Sequence, residues 1–519
     1  MSFIDSLVGF FDPKAGFQRR AYRNALALVS SAAQTRRYDA ARLDRRTQNW
    51  MTSAASADME VWRDLPRMRD RCRDLVRNNP YAQAGITALV ANLVGDGIEA
   101  RAEHSDERLA EAAQRAWNNW ADHPVDGRNN FYSLQSQVVR ATVEGGNGLL
   151  VWSSDGKMIN NRVRALEGDW LDHTRTQELA NGNRVIHGIE TDPSGNRVSY
   201  HLLQRHPGDV LGGIGGTISL DGQPPNTVGL YGSKPVPAAD VDHVYRCDRI
   251  GQSMGVPWLA QAVSALYYIG ELNDATLQKK RVEACLALIR RPSLDDGLSS
   301  IGEKETQSNG QVWETLRPGG IYTARPGEEI SVVNPSSSGD GDVFIRRQLE
   351  AVAASLGVPY HLLTGDVSQA NYSSLRAATV AFWALLDDWL AHTVVPHVCD
   401  RAWKRIMQRE ALVQKEPRLV EVTASWTPPP RAWVDPEKDI NAEIKAIRSG
   451  LTTMSESLSS RGRNWRDQIS QIATFNTAAD AADLALDTDP RRIDARGQIQ
   501  PPTGFIRPTA IGDTTPRGL

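Results

Sequence analysis

The chain of 519 residues has little of what most enzymes and tight nucleic-acid binders display. Its four cysteines, Cys72, Cys247, Cys285 and Cys399, are scattered and form no C-x-x-C pair, which excludes a zinc ribbon and a disulfide framework and fits a reducing compartment. No run of about 18 apolar residues occurs, so no membrane-spanning helix is expected. The start, Met1 to Asp12, has no basic region and carries Asp5 inside its apolar run, which makes a poor secretory signal. Net charge is -3, whereas a protein that clamps DNA through its phosphates shows a basic balance.

Catalytic patterns are missing too. There is no Gly-x-Ser-x-Gly elbow, no His-Glu-x-x-His and no phosphate loop ending in Gly-Lys-Ser/Thr; Gly212 to Gly216 lacks that ending and reads as a flexible loop. His392 and His397 flank Pro396, a spacing that does not put two ligands on one helical face, so no metal site is expected. The pairs Asp295-Asp296 and Asp387-Asp388 are adjacent in sequence. Neighbouring side chains on a helix diverge, so neither is a catalytic dyad. The fourteen tryptophans read as core and interface anchors. No catalytic residue, cofactor or metal is expected.

What remains is organised, α+β and predominantly helical. Residues 1–60 form a basic arm, with eight arginines between Arg19 and Arg46 against Asp39 and Asp44; the bland reading is a solvated helix, the sharper one an arm for an acidic partner. From Leu65 one helix is expected to end near Asn79, because the residue before a proline avoids the helical region. Pro80 opens the next, with Ala84, Thr87 or Ala88, Ala91 and Val94 as its face. Further helices carry Trp117 and Trp120, and Phe131 to Glu144, and Gly148 to Trp152 is a buried strand. Residues 161–250 are β-rich: Arg184 to Glu190 and Val198 to Leu203 are strands joined by a turn at Asp192 to Gly195. Trp258 to Arg291 reads as one long helix, about 50 Å at 1.5 Å per residue, ended by Pro292. Residues 292–341 change character, with short strand signals at Gly320 to Thr323 and Ile330 to Val333 and eight acidic residues against three basic ones, a small acidic α+β module.

The stretch from Asp342 to Val395 is the most strongly specified. Ile345, Leu349, Val352 and Leu356 share one helical face, and Gly357 and Pro359 stop that helix. A polar loop follows. Ser373 and Ser374 are expected to cap a second helix with Leu375, Thr379, Phe382, Leu386 and Trp389 or Leu390 on one side, kinked at Pro396 and resuming towards Met407. Asp435-Pro436 starts another helix, Gly450 closes it, and Thr452 or Thr453 caps the next. From about 487 the composition is that of a disordered tail.

Leu316 to Glu329, Asn334-Pro335, Ala353 to Leu363 and above all Asn371-Tyr-Ser-Ser-Leu-Arg-Ala377 resemble the lambda-type portal proteins of tailed bacteriophages. Arg77 to Ala82 with Val94 to Gly97, Gly251 to Pro257, and Val434 to Lys438 with Gly450 to Thr453 fall in that family's order. Met254-Gly255 stands where the family usually has Arg-Gly, the Gly-rich segment 208–233 looks like an insertion, and nothing is recognisable beyond about 480. The resemblance implies a ring, typically of twelve copies, at one capsid vertex in the virion, assembled in the host cytoplasm. It implies a wing (61–257 and 373–433), two stem helices (258–291 and 342–358), a clip (292–341), a tunnel loop (359–372) and a crown (434–486). The site residues it implies are the DNA-channel loop Thr364, Gly365, Asp366, Val367, Ser368, Gln369, Ala370, Asn371 and Tyr372, and a clip surface of Asp295, Asp296, Glu303, Glu305, Glu314, Glu328 and Glu329. Implied partners are the terminase large subunit, a head-tail adaptor, a major capsid or scaffolding protein, and double-stranded DNA in transit without sequence preference. A DNA-packaging enzyme and a head-assembly protein that binds DNA through the basic arm are the alternatives.

Overall fold

The computed structural model describes residues 52–123, 125–153, 162–209, 232–284, 341–368, 371–431 and 436–484, the strands 288–291, 303–306, 312–315 and 329–332, and single positions near both ends. The arm before Asn49, the Gly-rich segment and the tail lie almost wholly outside the described residues. Two compact units divide after Ser56, and the elements below belong to the second, Ala57–Leu519.

Its first helices follow from local signals. α1 (Ala57–Trp62) already buries Ala57 and Val61, so the folded body begins slightly before the expected boundary at 60. α2 (Leu65–Asn78) and α3 (Pro80–Leu93) are separated by one residue: the Asn79 side chain accepts from the N–H groups of Tyr81 (3.0 Å) and Ala82 (3.2 Å), and Pro80 needs no donor partner at the first helical position. The face of α3 differs from the one expected. Ile86, Leu89, Val90 and Leu93 are buried; of the expected face Val94 is buried and Ala88 packs on the core, while Thr87 and Ala91 are exposed, because in a helix apolar nearly all round the larger side chains gain most from burial. α4 (Glu107–Ala121) and α5 (Phe131–Gly145) are capped by Asp106 and Asn130. Trp117 is fully buried among Trp120, Phe131, Trp403 and Trp426, with ring centroids 5.2–5.6 Å away, which bears out the anchoring role expected of these tryptophans.

β1 (Glu99–Glu103) precedes α4, and β2 (Asn147–Ser153) follows α5 directly, through Gly146 at φ 86°. A Cβ there would stand 2.6 Å from the Gly255 carbonyl oxygen, so only glycine permits this turn. β2 is the centre of an antiparallel sheet between β3 (Arg162–Glu167) and a later strand, Val241–Tyr245. A five-stranded antiparallel sheet follows: β4 (Gln177–Glu178), β5 (Arg184–Ile186), β6 (Ile189–Thr191), β7 (Arg197–Leu203) and β8 (Ser233–Pro237), in that order. Val241–Tyr245 is β9. The run Arg184 to Glu190 is therefore two strands, not one. His187 (φ 51°) and Gly188 (φ 76°) reverse the chain between them, a two-residue turn of the kind that matches strand twist. The turn at Asp192 to Gly195 joins β6 to β7 as expected.

The long helix after Pro257 is shorter than its periodicity suggests. A single 3-10 turn, Trp258–Gln261, leads into α6 (Val263–Ala284), about 33 Å at 1.5 Å per residue. Leu288–Arg291 is strand β10, paired antiparallel with β13 (Glu329–Val332). The backbone of 288–291 is thus satisfied by a partner some forty residues on, which local spacing cannot reveal. β11 (Glu303–Thr306) and β12 (Val312–Thr315) form a separate antiparallel pair. Among the described residues of 292–340 there are strands and no helix; Gly320 to Thr323 lies outside them.

α7 (Gly341–Leu356) buries Leu349, Val352 and Leu356 as expected and ends at Gly357, φ 69°. α8 (Tyr360–Thr364) is a short helix, followed by α9 (Tyr372–Trp389). At Pro396 the helix is not broken. Leu390–Cys399 widens into π-helical turns, which tolerate the missing N–H, and continues into α10 (Asp400–Val413). β14 (Thr423–Thr427) pairs with β1. α11 (Pro436–Arg448), α12 (Met454–Ser459) and α13 (Trp465–Ala481) complete the chain; Gly450 (φ 74°) follows α11, and Thr453 with Glu456 makes a capping box on α12. One core joins α2–α7, α9 and α10, and a smaller cluster lies around Leu149, Leu171, Ile189 and Tyr200.

Candidate functional site

The loop between α7 and α9 is built from its ends inward. At the first end Val358 N–H donates to Ala353 O (3.0 Å) and Gly357 N–H to Ala354 O (3.2 Å), closing α7 in a left-handed cap. Pro359 starts α8, whose Leu363 is buried beside Leu356 against Gly85 of α3. A Cβ on Gly85 would come within 2.9 Å of Leu356 and 3.1 Å of Leu363, so the missing side chain lets α3 seat both. Thr364, expected in the loop, is the last residue of α8, and its hydroxyl donates to Tyr360 O at 2.9 Å. Gly365, at φ 73°, ends α8 with its N–H on His361 O.

Asp366, Val367 and Ser368 form the outer part. Ser368 N–H donates to the Asp366 carboxylate at 2.9 Å, and hydrogen bonds from Ser368 hold that carboxyl below its ordinary range. Asp366 is the one charged residue between Thr364 and Tyr372. Val367 is 56% exposed, a β-branched apolar side chain that the described residues leave in the open. Gln369 and Ala370 lie outside the described residues.

The far end differs from expectation. Asn371, not a serine, caps α9: its side-chain oxygen accepts from Ser374 N–H (2.8 Å), and Asn371 N–H donates to the Ser374 hydroxyl (3.1 Å). Asn outranks Ser only slightly as a cap, and here Ser374 supplies the reciprocal half. Tyr372 is the first residue of α9, not part of the loop. Arg376 reaches Asp439 of α11 at 2.7 Å and Lys438 lies 5.5 Å from the Tyr372 ring centroid. No sequence signal links residues over sixty positions apart, and this tether was missed.

Of the clip residues, Glu303 and Glu305 lie on β11, Glu314 on β12 opposite Lys304, and Glu329 on β13 opposite Arg291. Asp295, Asp296 and Glu328 fall outside the described residues. Elsewhere, Asp387 pairs with Arg431 and Asp388 stands 3.7 Å from His392, both carboxylates exposed. Cys399 is buried and accepts from Gln135 at 3.7 Å. Glu167, Asp169 and His206 come close enough together to ligate a cation. However, Arg69 and Arg73 already reach Asp169 at 2.9 and 2.5 Å and Arg73 reaches Glu167 at 2.8 Å, so guanidinium supplies the positive charge there.

The sequence model for phage portal protein, lambda family, matches residues 43–389, a span that contains the whole loop. The chain belongs to the lambda family of phage portal proteins. Relatives of this portal protein include a probable portal protein of Halomonas phage phiHAP-1, 22% identical over 466 residues, covering 85% of this chain and 86% of the relative. The portal protein of Escherichia phage N15 is 22% identical over 84% of this chain and 89% of its own, and portal protein B of Escherichia phage lambda 20% over 82% and 86%. Among solved structures, the neck of a native gene transfer agent particle is similar over 76% of this chain and 92% of that one, at 14% identity and a TM-score of 0.40, too loose a likeness to locate a residue. The role of this chain is that of a phage portal protein, and the family is structural.

Proposed function

We propose that copies of this portal protein close into a ring, twelve in number, at one vertex of the capsid, and that the genome passes through it during packaging and ejection. Family membership over residues 43–389 carries this reading. It is supported by large apolar side chains left exposed on the helices: Tyr267, Tyr268 and Leu277 on α6 and Val343 and Phe344 on α7, all more than 45% exposed. Such surface on one chain fits burial against neighbouring copies. In this reading α6 and α7 are the stem, 292–340 the clip, and α11–α13 the crown.

The loop Gly365–Asn371 then faces DNA in transit. A conduit must not hold phosphates, since each one neutralised adds salt-dependent affinity, and a loop with a single acidic charge meets that need. The acidic clip residues Asp295, Asp296, Glu303, Glu305, Glu314, Glu328 and Glu329 serve as the docking surface for the terminase large subunit and later the head-tail adaptor, while a capsid or scaffolding protein meets the outer wing. Assembly takes place in the host cytoplasm. The chain itself performs no catalysis, and the energy for packaging comes from a separate ATPase. Negative-stain images or native mass of the purified protein should give closed rings with a central hole; a persistent monomer or two-fold dimer argues against the reading. Hydrolysis of nucleotide or DNA by the isolated protein would instead revive a packaging enzyme.

A further inference from the structure

A cleft of about 690 Å³ opens between β7 and β9 on one side and the π-helical turns on the other. Three arginines line it, and two have carboxylate partners. Arg246 holds Asp248 through two contacts of 2.6 and 3.2 Å, and Arg401 pairs with buried Asp242. Arg197 is different. Its Nη1 donates to the Tyr200 hydroxyl (2.7 Å) and lies 3.2 Å from His243 Nδ1, and its Nη2 donates to the Tyr245 hydroxyl (2.7 Å). None of these partners carries a charge, and no carboxylate approaches Arg197 within ion-pair distance among the described residues.

The hydrogen-bond roles around it are fixed. Asn147 is oriented by Gly255, whose N–H donates to its Oδ1 (2.8 Å) and whose carbonyl accepts from its Nδ2 (3.0 Å). The same Oδ1 faces His243 Nε2 at 3.0 Å, so Nε2 carries the hydrogen and Nδ1 is the acceptor for Arg197. His243 is thus neutral; burial, and then the charge of Arg197, holds its pKa well below the usual value. The Tyr245 hydroxyl accepts from Arg197 and donates to Gln252 O (3.1 Å). Tyr200, 2% exposed, also accepts from Arg197, yet its own hydrogen has no acceptor among the described residues. An uncompensated guanidinium and an unused hydroxyl donor therefore converge on one cleft. Both lack the same thing, an anionic oxygen.

We propose that this cleft is an oxyanion site, which takes a carboxylate or phosphate oxygen between the Arg197 guanidinium and the Tyr200 hydroxyl. The oxyanion has two possible sources, a free anion such as inorganic phosphate or an acidic side chain of a neighbouring copy. Cys247 lines the same cleft, is exposed and reports on its occupancy.

The test uses the full-length chain, separated into monomers and rings, in buffers of matched ionic strength with chloride replaced by millimolar phosphate or acetate. Thermal midpoint and alkylation of Cys247, read by peptide mass, are followed together. Phosphate should raise the midpoint beyond chloride and slow alkylation of Cys247. Tyr200→Phe keeps the ring that packs 5.7 Å from His243 and should weaken the apparent affinity about tenfold, as expected for one hydrogen bond to a charged group. Arg197→Lys keeps the charge without the fork and should weaken it as well. A response in monomers and rings alike identifies a free anion; a response in monomers that is lost in rings identifies the carboxylate of a neighbouring copy. No response beyond chloride in either form, or an unchanged response in Tyr200→Phe, overturns the proposal.

Discussion

Asn371 stands where the loop proposed to face DNA becomes helix, and two substitutions there separate its structural work from its lack of charge. Asn371→Ala removes the acceptor that Ser374 N–H uses at 2.8 Å, a loss of about 1 kcal/mol for an N-cap. The cost falls on the first turn of α9, which is exposed from Tyr372 to Ser374, so it shows as local fraying and not as global unfolding. Amide exchange at Ser374 and Leu375 should therefore speed up about fivefold, since 1.4 kcal/mol is a factor of ten, with little change in melting temperature. Asn371→Asp caps as well as Asn and adds a favourable charge at a helix N-terminus. It should leave exchange at wild-type rates or slow it, while giving each loop a second negative charge. If neutrality is the functional property, Asn371→Asp alters DNA packaging in an assay with terminase although its helix is intact. Unchanged exchange at Ser374 and Leu375 in Asn371→Ala would mean that Asn371 does not hold the first turn of α9. Packaging by Asn371→Asp equal to wild type would mean that the loop's low charge is not what packaging requires.

Three further outcomes are expected. Asp169→Asn should cost about 3 kcal/mol at pH 7, because it strands the buried Arg69 guanidinium without its carboxylate. Burial works against ionisation of Asp169, but the charges and hydrogen bonds of Arg69 and Arg73 outweigh it and depress its pKa. The stabilisation is thus complete above the unfolded pKa of about 4 and lost as pH falls through the folded value. Melting curves of wild type and Asp169→Asn should converge on acidification, and parallel acid limbs would count against the ion pair. Trp117→Ala, which empties a fully buried site among four aromatic rings, should lose about 3–5 kcal/mol in denaturant unfolding. Val367→Lys adds one cation per loop and should steepen the salt dependence of DNA retention by about 0.9 per phosphate contact made; an unchanged slope places Val367 away from DNA.

What the sequence made legible was local. Asn79-Pro80, Gly357 and the cap at Thr453, one of the two threonines expected, each carry their signal within a few residues, and each stands where it was expected. The scarcity of charge in the loop, with Asp366 alone, was legible for the same reason. Features set by distant partners were not. Leu288–Arg291 continues a helical pattern, yet its backbone partner is β13, and only tertiary pairing decides between the two. Arg69 sits on the apolar face of α2 with Leu65, Cys72 and Val76, a placement that makes sense only once Asp169 is seen beside it. The face of α3 is only partly the expected one, with Ala88 and Val94 inside but Ala91 outside, because an alanine-rich helix offers several equivalent stripes, and its neighbours choose.

The helix that starts at Tyr372 continues through Pro396 to Val413 without a break. Its far half is buried through Trp403, Ile406 and Met407, while its near end is pinned to α11 by Arg376 and Asp439. Mechanically this is a beam, held in the core from Phe382 onward and tied to α11 near its free end. The turns before Phe382 are therefore the least buried part of this helix, and Asp439→Ala, which removes the partner of Arg376, should speed amide exchange there without changing it at Trp403 to Met407.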